Sequence, residues 1–297
     1  MPHAASPPSQ HDLWNGPAGD AWVQAQSLLD GMFAGFEPVL ADPIAAEPDA
    51  RVLDVGCGTG ALCLAIADRL GPQGRCSGVD ISAPMIAVAR ERALAAGKAI
   101  DFAVGDAQQH PFAPASLDRI VSRFGVMFFD DPVRAFGNLR QALRRGGRLH
   151  AIAWRSPADN PFMTTAERAA ASLLTLPARA EGGPGQFAFA DAGVVRKILD
   201  DSSWDHIDIA PLDVECSIAR DALPTYVSLL GPVGQALRAE GLDPDVRQGV
   251  LSTVVDAFAP FVRGDRVVFT AACWSIRAAS TRSGQHPRHP AAAIRPG

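Results

Sequence analysis

The chain of 297 residues is poor in lysine, in paired cysteine and in long apolar runs. Lysine occurs only at Lys98 and Lys197, so arginine supplies nearly all of the 27 cations, and 32 carboxylates leave a net charge of −5. That balance speaks against a nucleic acid as partner, because such binding rests on basic surface. No apolar run approaches the roughly 18 residues needed to cross a bilayer, so no membrane insertion is expected. The opening M-P-H-A-A-S-P-P-S-Q has neither the basic nor the apolar region of a secretory leader. Cys57, Cys63, Cys76, Cys216 and Cys273 are odd in number, with no C-x-x-C pair and no Cys/His grouping at zinc spacing. They read as small core residues of a reducing compartment. The cytoplasm is therefore the expected location, and no metal site is proposed.

What the chain does have is concentrated in Arg51 to Gly60, R-V-L-D-V-G-C-G-T-G. Val52, Leu53 and Val55 form the short, partly β-branched run of a buried parallel strand. Gly56, Gly58 and Gly60 follow at alternate positions. Ala61 to Leu70 then carries Leu62, Ile66 and Leu70 at helical spacing, up to a stop at Gly71-Pro72. Strand, glycine loop and helix make the opening unit of a nucleotide-binding α/β fold. Glycine lets the loop turn sharply, bringing backbone N–H groups and the positive end of the helix dipole close to a ligand. Cys76 to Val79 reads as a second strand ending in Asp80, where a carboxylate can accept from both hydroxyls of a ribose. Ser82, not Asp80, is the cap of the helix that follows.

Gly56-x-Gly58-x-x-Ala61 also satisfies the dinucleotide fingerprint, which keeps a nicotinamide-dependent reductase among the alternatives. Two features weigh against it. Asp54 lies inside the apolar strand, where an unpaired carboxylate is expensive. Ile100 to Val104 reads as a third strand ending in Gly105-Asp106-Ala107. There Asp106 can accept from an adenine amino group while the Ala107 N–H faces a ring nitrogen. With these residues the sequence resembles the class I S-adenosylmethionine (SAM) dependent methyltransferases, in the branch of the ubiquinone/menaquinone C-methyltransferases. The carrying motifs are V-L-D-V-G-C-G-T-G, G-V-D-I-S-A-P-M-I, G-D-A-Q-Q-H-P-F and F-G-V-M-F-F-D-D-P, over about residues 51 to 154.

The resemblance implies a Rossmann-like sheet of about seven strands flanked by helices, the last strand antiparallel, with SAM as cofactor and S-adenosyl-L-homocysteine as product. It implies cofactor contacts at Trp14 of a helical arm and at Asp54, Gly56, Cys57, Gly58 and Gly60. Asp80, Ile81 and Met85 follow at the second strand, and Gly105, Asp106 and Ala107 at the third. Backbone carbonyls near Ser122 and Arg123, beyond the fourth strand (Leu117 to Ser122), complete the set by holding the cofactor's ammonium. For Trp14 packing and cofactor contact are both open, and Trp22 reads as packing.

In chain order, residues 1–45 are a disordered lead and a helical arm with apolar points from Trp22 to Phe36. Residues 46–278 form the SAM-binding domain, and 279–297 a disordered tail. Asp131 and Pro132 start a helix that Gly146-Gly147 ends, and Arg148 to Trp154 is the fifth strand. Helical lids are expected at about 156–185 and 219–263, with a mobile link at Gly182 to Gly185. The strands Ile207 to Glu215 and Val267 to Ile276 close the fold.

The expected chemistry is in-line transfer of a sulfonium methyl to an O, N, C or S atom of a small, apolar or aromatic molecule, which needs alignment and dryness more than a base. His150 and Arg123 are the weak catalytic candidates, and Arg155 and Asn160 could orient a polar substrate. The chain lacks Asn-Pro-Pro-Tyr, Asp-Pro-Pro-Tyr and Pro-Cys, which argues against DNA amino and cytosine C5 methylation. A SAM-binding partner or regulatory protein without transfer activity is the second reading, and a homodimer is left open.

Overall fold

The computed structural model describes residues 9–176, 183–239 and 241–281. The strands are β1 (Arg51–Val55), β2 (Arg75–Asp80), β3 (Ile100–Val104), β4 (Leu117–Arg123), β5 (Leu143–Trp154), β6 (Asp205–Ala219), β7 (Val262–Arg263) and β8 (Arg266–Ser280). They form one sheet in the order β3-β2-β1-β4-β5-β8-β6, with the two-residue β7 paired to β8. The first five are parallel, and β8 is antiparallel to β5, β6 and β7. The expected α/β class and antiparallel last strand hold, with eight strands where about seven were expected. The strand order reverses between β1 and β4, and this opens a crevice beyond their carboxyl ends.

The arm comprises α1 (Gln10–Trp14), α2 (Pro17–Gln24), α3 (Gln26–Met32) and α4 (Glu37–Ala41). The expected helical arm, with its apolar points from Trp22 to Phe36, is not one continuous helix. The chain instead leaves helical ψ at Ala25 (5°) and Phe33 (10°), and a 3-10 turn takes Ala34–Phe36. These breaks let Phe33 and Phe36 turn onto the sheet, where they are 5% and 0% exposed. The helices α5 (Ala61–Arg69), α6 (Ala83–Ala95) and α7 (Pro132–Ala142) connect the parallel strands. Ser82 caps α6 by accepting from the Met85 N–H, and Asp131 caps α7 by accepting from the Arg134 N–H.

Gly146-Gly147 do not end α7. The helix stops at Ala142, Leu143 is already extended, and the glycines lie inside β5. The register against β4 jumps there, from Leu117 facing Leu143 to Arg119 facing Arg148, and Gly146 takes φ +81°. The glycines thus build a bulge, which needs the same positive φ as a helix stop.

The remaining helices are α8 (Pro161–Ala170), α9 (Ala192–Asp201), α10 (Leu223–Leu229), α11 (Gly231–Leu237) and α12 (Pro244–Ala257). α9 packs beside α7, while α8, α10, α11 and α12 pack on one another and α10 meets α2 of the arm. The central strands are covered on both faces, so Ile120, Leu149 and Ile152 are at most 1% exposed. β8 continues to Ser280, past the expected start of the tail. The sequence expectations for residues 1–8, for Gly182 and for 282–297 lie outside the described residues. No helix among the described residues is long and apolar enough to cross a membrane.

Candidate functional site

Two loops meet at the crevice. The loop after β1 turns back on β2, with Gly56 N–H donating to the Val79 carbonyl at 2.8 Å. Gly56, Gly58 and Gly60 have φ of +68°, +53° and +82°, the left-handed region that glycine enters without strain. The loop after β4 approaches so closely that a Cβ on Gly56 would stand 2.5 Å from Gly125 Cα. A Cβ on Gly58 would meet only Met85 Sδ, at 3.7 Å. One glycine therefore serves backbone approach, and the other keeps space open in the cleft.

The Asp80 carboxylate is what ties this loop to the tip of β2. Its Oδ2 accepts from Gly58 N–H at 2.8 Å and its Oδ1 from Ser82 N–H at 2.9 Å. Burial pushes its pKa up against these two bonds, which pull it down. Each oxygen keeps a further lone pair for a ligand. At the tip of β3, Asp106 accepts from the Gln108 N–H and side-chain amide. Asn138 holds the turn from below by donating to the Ala107 and His110 carbonyls. His110 sits where a Gly105 Cβ would be, 2.7 Å away, which marks it as a packed side chain.

These residues line a cleft with about 750 Å³ of space counted out to its open mouth. The wall holds Trp14, Gly56, Gly58, Asp80, Ile81, Met85, Gly105, Asp106, Ala107 and Arg123 of the expected set. The arm closes one side. Asn15 donates to the Ile81 carbonyl at 3.0 Å and accepts from Ala83 N–H at 2.9 Å, while Ser82 Oγ donates to the Trp14 carbonyl. Trp14 makes edge contacts with Trp22 at 5.7 Å and with Phe128 at 5.1 Å.

Four of the expected contacts lie behind the wall. Asp54 is 2% exposed beneath the loop, with Oδ2 accepting from the Cys63 thiol at 3.5 Å and Oδ1 without a partner among the described residues. Burial pushes its carboxyl up to about 7, against the pull of the Arg123 guanidinium. Cys57 points inward against Gly78, and burial pushes its thiol up to about 11. Gly60 is the left-handed residue that starts α5. The Ser122 side chain is fully buried; its Oγ donates to the Val55 carbonyl at 2.7 Å and accepts from Gly125 N–H, which fixes the two loops to each other.

His150 is not at the cleft. It lies past the middle of β5, level with Val121 of β4, on a separate basic cavity, with Nε2 2.9 Å from Ser275 Oγ. Burial, with Arg277 and Arg119 nearby, lowers its pKa to about 4, so it is neutral and out of reach of a reacting group. Arg155 and Asn160 are structural as well. Arg155 pairs with Asp213 and Asp159, and Asn160 exchanges two 2.9 Å bonds with the backbone of Ala272. Sequence reasoning missed Gln10, Gln108, Phe124, Phe128 and Phe129, which also line the cleft. Phe124 carries a signal only coordinates can give. Its φ is +68°, a strained value for an aromatic residue, and it is stacked on Trp154 at 4.4 Å.

Residues 52–147 match the family model described as a methyltransferase domain. The aklanonic acid methyltransferase DauC of Streptomyces sp. (strain C5) is 37% identical over 119 residues, 40% of this chain and 51% of that protein. The demethylmenaquinone methyltransferase of Thermus thermophilus is 36% identical over 112 residues, 38% of this chain and 50% of that protein. The chain thus spans about half the length of these relatives. Among solved structures, the [4+2]-cyclase SpnF has a TM-score of 0.53 at 16% identity, over 92% of this chain and 97% of its own. The YcgJ protein of Bacillus subtilis has a TM-score of 0.51 at 18% identity, over 82% and 98%. The structures share the fold, and the sequence matches bear out the methyltransferase resemblance over the segment that builds the cleft.

Proposed function

We propose that this chain holds SAM in the cleft and passes its methyl group to a small, apolar or aromatic molecule. The observation that carries the reading is the convergence of the glycine loop, Asp80 and Asp106 on one crevice at the β1/β4 reversal. The residues fit such a group. The space over Gly58 is open, Asp80 retains lone pairs, and Ile81 and Met85 offer apolar faces. Asp80 would hold the ribose, Asp106 and Ala107 the adenine edge, and the glycine loop with the carbonyls near Ser122 and Arg123 the amino-acid end. Trp14 would cover it.

When bound, SAM supplies a methyl activated on a sulfonium, and the difficult chemistry is the cofactor's own. The protein's part is to align the acceptor and keep water out. In this reading residues 46–278 form the SAM-binding domain, the arm within 1–45 covers the cofactor, and the helices within 156–185 and 219–263 are that domain's lids over the carboxyl edge of the sheet. The relatives' names, which concern aklanonic acid and demethylmenaquinone, favour a ring-bearing acceptor. They also leave the reading of a binder without transfer activity unfavoured. Calorimetry with SAM, S-adenosyl-L-homocysteine and NADH tests the cofactor. Release of S-adenosyl-L-homocysteine from a panel of phenols, quinols and amines tests the transfer. NADH bound with neither SAM species bound would end this reading.

A further inference from the structure

Among the described residues the cleft wall contains one cation, Arg123, and two carboxylates, Asp80 and Asp106. Both carboxylates are engaged by N–H groups of their own loops. Arg123 is not so engaged. Its guanidinium makes one long hydrogen bond, Nη1 donating to the Phe33 carbonyl at 3.5 Å, and lies 5.7 Å from the centre of the Phe33 ring. It takes part in no ion pair among the described residues. The rest of its five-donor fork has no acceptor there.

The carboxylates that feel its charge are committed elsewhere. Asp30 pairs with Arg92 at 2.6 Å, and Glu37 pairs with Arg69 at 3.3 Å. Asp54 is buried beneath the loop, where desolvation disfavours its charged form. A half-buried cation against aromatic rings without a counter-ion is costly, and removing one partner's charge from such a site normally destabilises a fold. The arrangement is reasonable if a ligand brings the missing charge.

The surroundings indicate what else that ligand carries. Phe124 and Phe128 line the same cleft, and Phe124 is held flat against Trp154 with 9° between the rings. A planar fork beside ring faces suits an oxygen anion attached to a flat apolar body, since guanidinium binds such oxygens in pairs and stacks on rings. We propose that Arg123 is a specificity-determining residue that selects a ring-bearing acceptor carrying an oxyanion, whether phenolate, enolate or ring carboxylate. This rests on the methyltransferase reading of the same cleft.

The test titrates the full chain, loaded with S-adenosyl-L-homocysteine, with matched probes. These are 1-hydroxy-2-naphthoate against 1-naphthol, and 4-hydroxybenzoate against phenol. The pH is kept near about 7.5, where phenols remain neutral. The anionic member of each pair should bind about tenfold tighter or more, as one charge-assisted contact supplies. Arg123→Met should erase that preference, while Arg123→Lys keeps part of it. The melting temperature of ligand-free Arg123→Met should hold or rise, which a merely structural arginine would not allow. Anions that bind no better than their neutral partners would overturn the proposal. So would an Arg123→Met protein that loses S-adenosyl-L-homocysteine but keeps 5'-methylthioadenosine, which lacks the carboxylate; the arginine would then belong to the cofactor. A wild-type chain that binds neither SAM species would overturn the methyltransferase reading, and this proposal with it.

Discussion

At the carboxyl ends of its parallel strands the sheet opens on the cleft, where Asp80 and Asp106 are held by backbone N–H groups. Away from those strand tips the same sheet borders a second cavity lined by Arg119, Arg148, His150, His206 and Arg277. There the charges answer one another. Arg119 bonds Glu47, and Arg277 stands 3.7 Å from Asp208. Both cavities contain titratable groups, and only one has a glycine loop whose backbone turns toward the space. In a doubly wound sheet ligands gather beyond the carboxyl ends, so a loop at the strand tips says more about function than the presence of a histidine.

The largest expected effect separates two glycines of the cleft itself. Gly58→Val should abolish cofactor binding, with a loss of fold stability of only about 1–3 kcal/mol from strain at positive φ. The rise in melting temperature given by S-adenosyl-L-homocysteine should vanish. Gly56→Ala should damage the fold more, because its Cβ would run into the Gly125 backbone. Thermal scans with and without ligand distinguish the two variants. If Gly58→Val still melts higher with ligand, the loop does not hold the cofactor.

Asp80→Ala comes next. Two ribose bonds to a charged acceptor are worth roughly 2–4 kcal/mol of affinity together. The variant also leaves the Gly58 and Ser82 N–H groups without their acceptor, so ligand-free stability should fall by about 1–3 kcal/mol. Calorimetry and urea unfolding read the two losses separately, and an unchanged affinity in the folded variant would remove the ribose role.

The third contrast sets two buried titratable groups, Asp54 and His150, against each other through pH. Asp54 titrates at about 7 in the fold against an ordinary 3.8, so the folded state keeps a proton the unfolded chain releases. Its contribution to stability is lost as pH rises from about 4 to 7. His150 titrates at about 4 against an ordinary 6.5, so its contribution is lost as pH falls from 6.5 toward 4. Asp54→Asn should therefore steepen the rise of stability with pH, and His150→Gln should flatten it, each by about 1–3 kcal/mol over the window. Urea unfolding at a series of pH values checks the opposite signs; two variants that shift the slope the same way would contradict these environments. Smallest of all is the effect of His150→Gln on turnover and cofactor affinity, where no change is expected. A large loss in steady-state assays would return the histidine to the cleft's chemistry.

The strand tips of the cleft were legible because their signals are local. A glycine at every second position, a carboxylate closing an apolar strand and a capping serine each act within a few residues. Phe124, Phe128 and Phe129 were not, because an aromatic residue after a strand reads equally well as core. Asp54 was placed on the ligand by its neighbourhood in sequence, yet a strand's alternation turns its side chain beneath the loop. The Gly146-Gly147 pair and the divided arm failed for another reason. Positive φ serves a bulge as well as a helix stop, and the breaks at Ala25 and Phe33 are set by where Phe33 and Phe36 must pack.

The burial of all five cysteines has a use of its own. The thiolate is the form that attacks an alkylating reagent, and burial raises the Cys57 thiol to about 11, Cys216 to about 12, and Cys63 and Cys273 upward as well. The native chain should be silent to iodoacetamide near neutrality and become reactive only where it opens. Cys57, Cys63 and Cys76 lie in the β1–β2 half, and Cys216 and Cys273 in β6 and β8. Pulsed alkylation read by mass would thus act as a stopwatch on each half. It reports whether they unlock together or one before the other, with no substitution made in the protein.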